Sequence, residues 1–397
     1  MKILVIRLRL IGDVVLTTPL LRALRRHDPR SHLTYLVEPL AEPVVRANPH
    51  LNHVIVAPLR AGLARVVDDV AVASRLRRER FDVAIDLHGG PRGAWFAWAS
   101  RAPMRIGYST RGRSWMYTHV VPRPADLGPM HSVVKQWALL EPLGVGACDP
   151  ARDSVEMPGD RAAVARVERR LADAGIPASH PLVVLHVSAG NPFRRWPAES
   201  FAALVVDLAR RDPQRRFVLT SGPSDAEAAR AIAGQARERL GAGGLAVTHG
   251  QFEVEELRAL AERAAVYIGG DSGPLHIAST TETPVVALFG PTLAERSMPW
   301  RAPRWRAEAV DAGPLPCRPC RQRTCEPGDF RCLTRIAPEQ VVEAVERALA
   351  VKRDGPTEVG PYATTIVGAD SSRPLRNNDR GGDSSRPLRD NDRGGRL

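Results

Sequence analysis

Up to Ala350, short runs of β-branched and aliphatic residues alternate with longer stretches whose apolar positions recur every three or four residues. That alternation predicts parallel strands joined by crossover helices, an α/β architecture. Strands are expected at 2–7, 32–37, 53–57 and 81–87, with helices at 14–26, 63–80 and 131–143. From 144 to 160 the periodicity lapses into Gly, Pro and Asp, which marks a boundary. Alternation then resumes, with strands at 182–186, 216–220, 265–269 and 284–289 and helices at 161–174, 197–211, 225–240 and 274–279. The count gives two Rossmann-like halves: a domain over 1–150, a linker and helix over 151–178, a second domain over 179–335, and a closing helix over 336–352. Past that helix, residues 370–382 are repeated at 383–395 with a single change, and each copy holds one Leu. Such a segment cannot bury a core, so 353–397 is expected to be a disordered tail.

The formal charge of +12 changes the picture, because it calls for an acidic partner. From Arg353 onward eight Arg face seven Asp or Glu, so the excess lies in the folded part. The candidates are a nucleotide diphosphate, a phosphorylated glycolipid, an anionic membrane surface and nucleic acid. Nucleic acid is not expected, since the chain has no His-paired zinc-finger spacing, no RNP-like aromatic motif and no helix-turn-helix pattern. Arg92, Arg101, Arg105, Arg111 and Arg113 are either headgroup contacts or an ordinary solvated surface. The start MKILVIR lacks the form of a secretory leader, and no apolar run reaches the roughly 18 residues of a membrane span. A cytoplasmic protein is expected, docking peripherally on the inner face of a membrane.

Chemistry concentrates where strands give way to helices, the edge at which open α/β sheets bind ligands. In Arg7-Leu8-Arg9-Leu10-Ile11-Gly12-Asp13, Asp13 is either an N-cap or a general base, with Gly12 admitting an acceptor closely. In Gly269-Gly270-Asp271-Ser272-Gly273-Pro274-Leu275-His276, Pro274 fixes a helix start, and Ser272 and Gly273 leave N–H groups for a diphosphate. The plainer reading is a capped turn with a structural His276. The loop His186-Val187-Ser188-Ala189-Gly190-Asn191-Pro192-Phe193-Arg194-Arg195 offers small residues beside a strand end and two guanidinium groups for a leaving diphosphate. In Ser221-Gly222-Pro223-Ser224-Asp225 the carboxylate of Asp225 either holds a ribose hydroxyl or caps a helix. Cys317, Cys320, Cys325 and Cys332 form C-x2-C-x4-C-x6-C, compatible with a structural zinc, reduced thiols or disulfides. No Asp-x-Asp pair follows a strand before the tail, so no divalent metal is expected in catalysis.

The segments IGDVVLTTPLLRAL, SAGNPFRRWP, SGPSD and GGDSGPLHIASTTETPVVALFGPT occur in an order and spacing that resemble glycosyltransferase family 9, the bacterial ADP-heptose:lipopolysaccharide heptosyltransferases. HSVVKQWALLEPLG and Arg105-Ile106-Gly107-Tyr108 resemble that family as well, and the similarity spans about residues 1–350. The resemblance implies a GT-B fold, two Rossmann-like domains facing across a cleft, with the acceptor on the first and an ADP-sugar donor on the second. It implies an inverting transfer of heptose to a lipopolysaccharide-core glycolipid at the inner membrane, with no cofactor required. Asp13 becomes the base, Asp271 a donor-sugar contact, and Ser272, Gly273 and His276 surround the diphosphate. Gly12, Ser188, Arg194, Arg195, Gly222 and Asp225 complete the donor site. Arg194 stands where the family usually has Lys, which keeps the charge and changes its shape. A transferase with another nucleotide sugar, or a nucleotide-sugar epimerase, shares this fold and stays open as an alternative.

Overall fold

The computed structural model describes residues 1–123, 130–241 and 247–350. The apolar runs form two six-stranded sheets in which every pairing is parallel. The first comprises β1 (Lys2–Ile6), β2 (His32–Val37), β3 (His53–Val56), β4 (Val83–Asp86), β5 (Met104–Tyr108) and β6 (His119–Val121), ordered β3-β2-β1-β4-β5-β6. The second comprises β7 (Leu182–His186), β8 (Arg216–Thr220), β9 (Val247–Gly250), β10 (Val266–Gly270), β11 (Val285–Phe289) and β12 (Ala307–Asp311), ordered β12-β11-β10-β7-β8-β9. Both orders are the same doubly wound path, running from the centre to one edge and then from the centre to the other. Each sheet therefore has one switch point, between β1 and β4 and between β7 and β10. The central strands are buried on both faces, which is why they read as unbroken apolar runs: Ile3 to Ile6 and Leu182 to Leu185 are at most 1% exposed.

The first half carries α1 (Ile11–Val15), α2 (Thr18–His27), α3 (Glu42–Val45), α4 (Gly62–Glu79), α5 (Pro91–Ala99) and α6 (Ser132–Trp137). The second carries α7 (Arg161–Asp173), α8 (Ala198–Arg211), α9 (Ala226–Leu240), α10 (Val254–Arg263), α11 (Gly273–Ala278), α12 (Ala294–Ser297), α13 (Arg331–Thr334) and α14 (Pro338–Ala350). The expected helix over 14–26 is two helices, because the Thr17 hydroxyl donates to the Val14 carbonyl at the break and Pro19 lies in the first turn of α2. The expected helix over 131–143 turns 3-10 at Ala138–Leu143, where Pro142 lacks an N–H. The expected tail over 353–397 lies outside the described residues.

Between the sheets the chain is tied to both halves. Arg26 donates to the buried Asp153 carboxylate at 2.9 Å, and Trp300 Nε1 donates to the Asp153 carbonyl at 2.7 Å. His131 caps α6 by accepting from the Val133 N–H, so its Nε2 is the N–H donor to the Met298 carbonyl at 2.9 Å. Burial pushes the His131 imidazole down to about 3. It pushes His186, bonded to Thr220 Oγ1 at 2.9 Å, down to about 4.

Unfolded histidine titrates near about 6.5, so below that pH the unfolded chain takes up protons that the folded chain refuses. Stability is therefore full above that value and is lost as pH falls toward the two folded values. The melting temperature is expected to drop between roughly pH 7 and pH 5 and to drop less in His186→Asn. A flat melting curve over that window, or an identical slope in the variant, contradicts this assignment.

Candidate active site

The β1 switch-point turn places Leu10 at φ 67°, and α1 begins directly after it at Ile11. Asp13 is thus the third residue of the helix, not its N-cap, and the capping role open in the sequence is not taken up. Its carboxylate Oδ2 accepts from Arg7 Nη2, and its side chain is one-third exposed. Asp13 Oδ1 has no protein partner among the described residues. The buried Arg7 also donates through Nη1 to the Leu87 carbonyl at 3.3 Å and to His88 Nδ1 at 2.9 Å. A guanidinium only donates, so Nδ1 accepts and the imidazole is neutral with its proton on Nε2. Burial, then the Arg7 charge, lowers the His88 pKa in agreement. Asp86 fixes the turn that carries His88: its Oδ1 accepts from the His88 and Gly89 N–H groups at 3.0 Å, and its Oδ2 from Tyr117 Oη at 2.7 Å. Gly107 is needed beneath that tyrosine, for a Cβ there falls 2.3 Å from the ring.

Across from this group, the β10 turn presents Asp271, Ser272 and Gly273 at the start of α11. Asp271 is buried, and its Oδ2 accepts from Thr292 Oγ1 at 2.8 Å and faces Arg194 Nη1 at 3.1 Å. His276 Nε2 stands 3.7 Å from Oδ1, an electrostatic contact rather than a hydrogen bond. Burial raises the Asp271 carboxyl, but His276, Arg194 and Thr292 together outweigh it and hold the group below the usual carboxylate range. Arg194 also donates to the Asp271 carbonyl at 3.0 Å and, through Nε, to Gln322 Oε1 at 2.7 Å. Ser272 Oγ and His276 Nδ1 are buried with no hydrogen-bond partner among the described residues.

These two groups share one cavity of about 980 Å³, lined by Gly12, Asp13, Arg194, Asp271, Ser272, Gly273 and His276 together with Arg296. Their closeness is set by glycine. A Cβ on Gly12 falls 2.7 Å from His276 Cδ2 and 3.2 Å from Gly273 Cα, so α1 and α11 meet backbone to backbone. Gly12 therefore serves this contact between the halves. Ser188, Arg195, Gly222 and Asp225 do not line the cavity. They form a network behind the 189–195 loop. There Asp225 accepts from Ser188 Oγ, pairs with Arg195 Nη1 at 2.9 Å, and Arg195 Nε donates to the Ala189 carbonyl at 3.0 Å. A second cavity of about 530 Å³ in the first half is lined by Arg9, Glu38, Arg60, Arg65, Asp86 and His88.

Sequence reasoning missed Arg7, His88, Gln322 and Arg296. For His88, a polar residue two positions past the end of a buried strand was an available signal. Gln322 had none, because it comes from the cysteine-bearing segment far along the chain. All four cysteines line one cavity, and all are free thiols. Among the described residues no three His, Cys, Asp or Glu are grouped to hold a metal ion. Cys332 packs on α13 into the core with Leu333 and Ile336, and burial raises its thiol pKa.

Two doubly wound halves meeting at their switch points around a shared crevice have the GT-B architecture. The chain belongs to glycosyltransferase family 9 (heptosyltransferase), whose model matches residues 70–330. It is similar to lipopolysaccharide heptosyltransferase 3 of Escherichia coli, 26% identical over 88% of this chain and 99% of that one. A second Escherichia coli lipopolysaccharide heptosyltransferase 3, from strain K12, is 29% identical over 85% and 95%. Among solved structures, a family 9 glycosyl transferase of Veillonella parvula superposes with a TM-score of 0.75 at 25% identity, covering 88% of this chain and 97% of its own. The E. coli ADP-heptose LPS heptosyltransferase II shares the fold with a TM-score of 0.71 at 20% identity over 88% and 99%. An E. coli heptosyltransferase with ADP-2-deoxy-2-fluoro heptose shares it with a TM-score of 0.62 at 18% identity over 87% and 99%.

Proposed function

We propose that this protein transfers a heptose from an ADP-heptose donor to a lipopolysaccharide-core acceptor, with inversion at the anomeric carbon and without a catalytic metal. The observation that carries the reading is the shared crevice, with Asp13 on the wall of the first half and Ser272, Gly273 and Arg194 on the wall of the second. The acceptor hydroxyl enters from the first half and gives its proton to Asp13 as its oxygen bonds the anomeric carbon. On the opposite side the bond to the diphosphate breaks, and ADP leaves with the electron pair. Arg194, Arg296 and the unpartnered Ser272 hydroxyl meet the charge growing on that leaving group, so that preorganised donors lower the barrier. Asp271 acts as a positioning residue that orients Arg194, and the Asp225–Arg195 pair shapes the loop that carries it.

Related proteins named as lipopolysaccharide heptosyltransferases, and the neighbour bound to an ADP-heptose analogue, support the choice of donor and acceptor. The test is a screen of ADP, GDP and UDP sugars by melting shift and turnover, with and without EDTA. ADP-heptose is expected to give the largest shift and to support transfer that EDTA leaves unchanged. A folded protein that turns over no nucleotide sugar contradicts the proposal, and loss of turnover in EDTA contradicts its metal-free form.

Arg194→Lys loses the fork that reaches Asp271 and Gln322 together, and kcat/KM for the donor is expected to fall about tenfold. Gln322→Ala releases one arm of the same fork and should lower kcat/KM by roughly half that factor on a logarithmic scale, at an unchanged melting temperature. Kinetics of Gln322→Ala equal to those of the native chain would remove Gln322 from the site.

A further inference from the structure

Outside the crevice, the strongest unexplained feature is the outer face of α4. Leu63, Val66, Val67 and Val70 stand at the i, i+3, i+4, i+7 spacing of one helix face, yet they are 85%, 58%, 64% and 56% exposed. The opposite face already supplies Val72, Ala73 and Leu76 to the core, so the stripe is not needed for folding. Among the described residues, all exposed large apolar side chains other than Val164 and Phe330 belong to the first half.

The charge around the stripe has one sign. From residue 60 to residue 80 every exposed charged side chain is an arginine, namely Arg60, Arg65, Arg75, Arg77, Arg78 and Arg80. The carboxylates of Asp68 and Asp69 are withdrawn from the surface and paired with Arg60 and Arg92. Arg77 and Arg78 continue the apolar face toward the helix end, two turns beyond Val70. An exposed aliphatic stripe set among exposed arginines, with Asp68, Asp69 and Glu79 less exposed than they are, is the surface of an interfacial helix on an anionic bilayer. Its position agrees with such a role. Leu59 and Arg60, just before α4, and Arg65 in its first turn line the cavity of the first half, and Leu59 also lines the crevice. A protein seated on this stripe has its acceptor side against the lipid.

Two of the arginines that the sequence left open between headgroup contact and solvated surface are held within the protein. Arg92 is held by Glu38 and Asp69, and Arg105 by the carbonyls of Ala102 and Met116.

We propose that the outer face of α4 is the surface through which this protein docks on an anionic lipid bilayer. The docking rests on the reading of the acceptor as a glycolipid for its purpose, while the binding itself is measured apart from any reaction. The experiment uses the full chain and sedimentation with phosphatidylcholine vesicles, with and without phosphatidylglycerol. The native protein is expected to bind only the phosphatidylglycerol vesicles, with an affinity that falls as salt rises. A Leu63→Ser/Val66→Ser/Val67→Ser/Val70→Ser variant is expected to bind at least about tenfold more weakly, and Arg77→Glu/Arg78→Glu several-fold more weakly. Both variants change only exposed positions and are expected to keep the native melting temperature and transfer to a deacylated, water-soluble acceptor.

Vesicle binding undiminished in the serine variant overturns the proposal, as does a native protein that ignores anionic vesicles. A native dimer that the serine variant turns into a monomer also overturns it, because a second copy then covers the stripe. Failure of the native protein to transfer to the soluble acceptor counts against the reaction alone, since the vesicle result is read without it.

Discussion

Replacing Asp13 with asparagine is expected to lower the rate of sugar transfer by about 10³-fold while donor affinity stays within a few-fold of native. Asparagine keeps the shape of the side chain, and its carbonyl still accepts from Arg7, so the β1 turn is preserved. What is lost is the capacity to take a proton. Alanine is the less clean substitution, because it strips the buried Arg7 of the carboxylate it pairs with and adds a stability cost to the catalytic one. Single-turnover transfer and donor titration of Asp13→Asn separate the two effects. Transfer at near-native rate would take Asp13 out of the reaction, and a large loss of donor affinity would move it to the donor's binding site.

Gly12→Ala is expected to be nearly as damaging, through geometry rather than chemistry. The added methyl group falls 2.7 Å from the ring of a buried histidine and 3.2 Å from the Gly273 backbone. Because the backbone as well as the ring is approached, α1 and α11 are pushed apart, which moves Asp13 away from the donor wall. Misplacement of reacting groups by an ångström costs about 10²-fold in rate. The stability cost of such overpacking is about 1–3 kcal/mol, so the protein remains folded. A Gly12→Ala protein with native kinetics would show that the two halves do not work at this separation.

How much of this was legible in the sequence depends on what each residue answers to. Most inner strands were readable because burial on both faces writes an unbroken apolar run, as in Leu182–His186 and His32–Val37, whose bounds match those expected. The inner β5, with Arg105 and Gly107 in its middle, was not expected as a strand, whereas the edge strand β3 was. The other edges were missed: β6 is three residues long, and β12, Ala307–Asp311, mixes Glu and Asp with alanine because it is covered on fewer sides. Asp13 and Asp271 stood out through their position after a strand, a local signal. The partners that give them their setting were hidden, since Arg7 meets His88 across the switch point and Gln322 reaches Arg194 from a distant segment. Gly12 was read as admitting an acceptor closely, and the close approach that the structure shows there is that of the other half of the protein. The sequence left Asp225 open as a ribose contact or a helix cap, and could not show that Ser188 and Arg195 meet its carboxylate.

The claim on which the rest depends is that base and leaving-group site face each other across one crevice, so that transfer occurs in a single displacement. The anomeric configuration of the product, read by NMR against that of the donor, tests this directly. Inversion is the predicted result. Retention would require a covalent or same-face route that this arrangement does not provide.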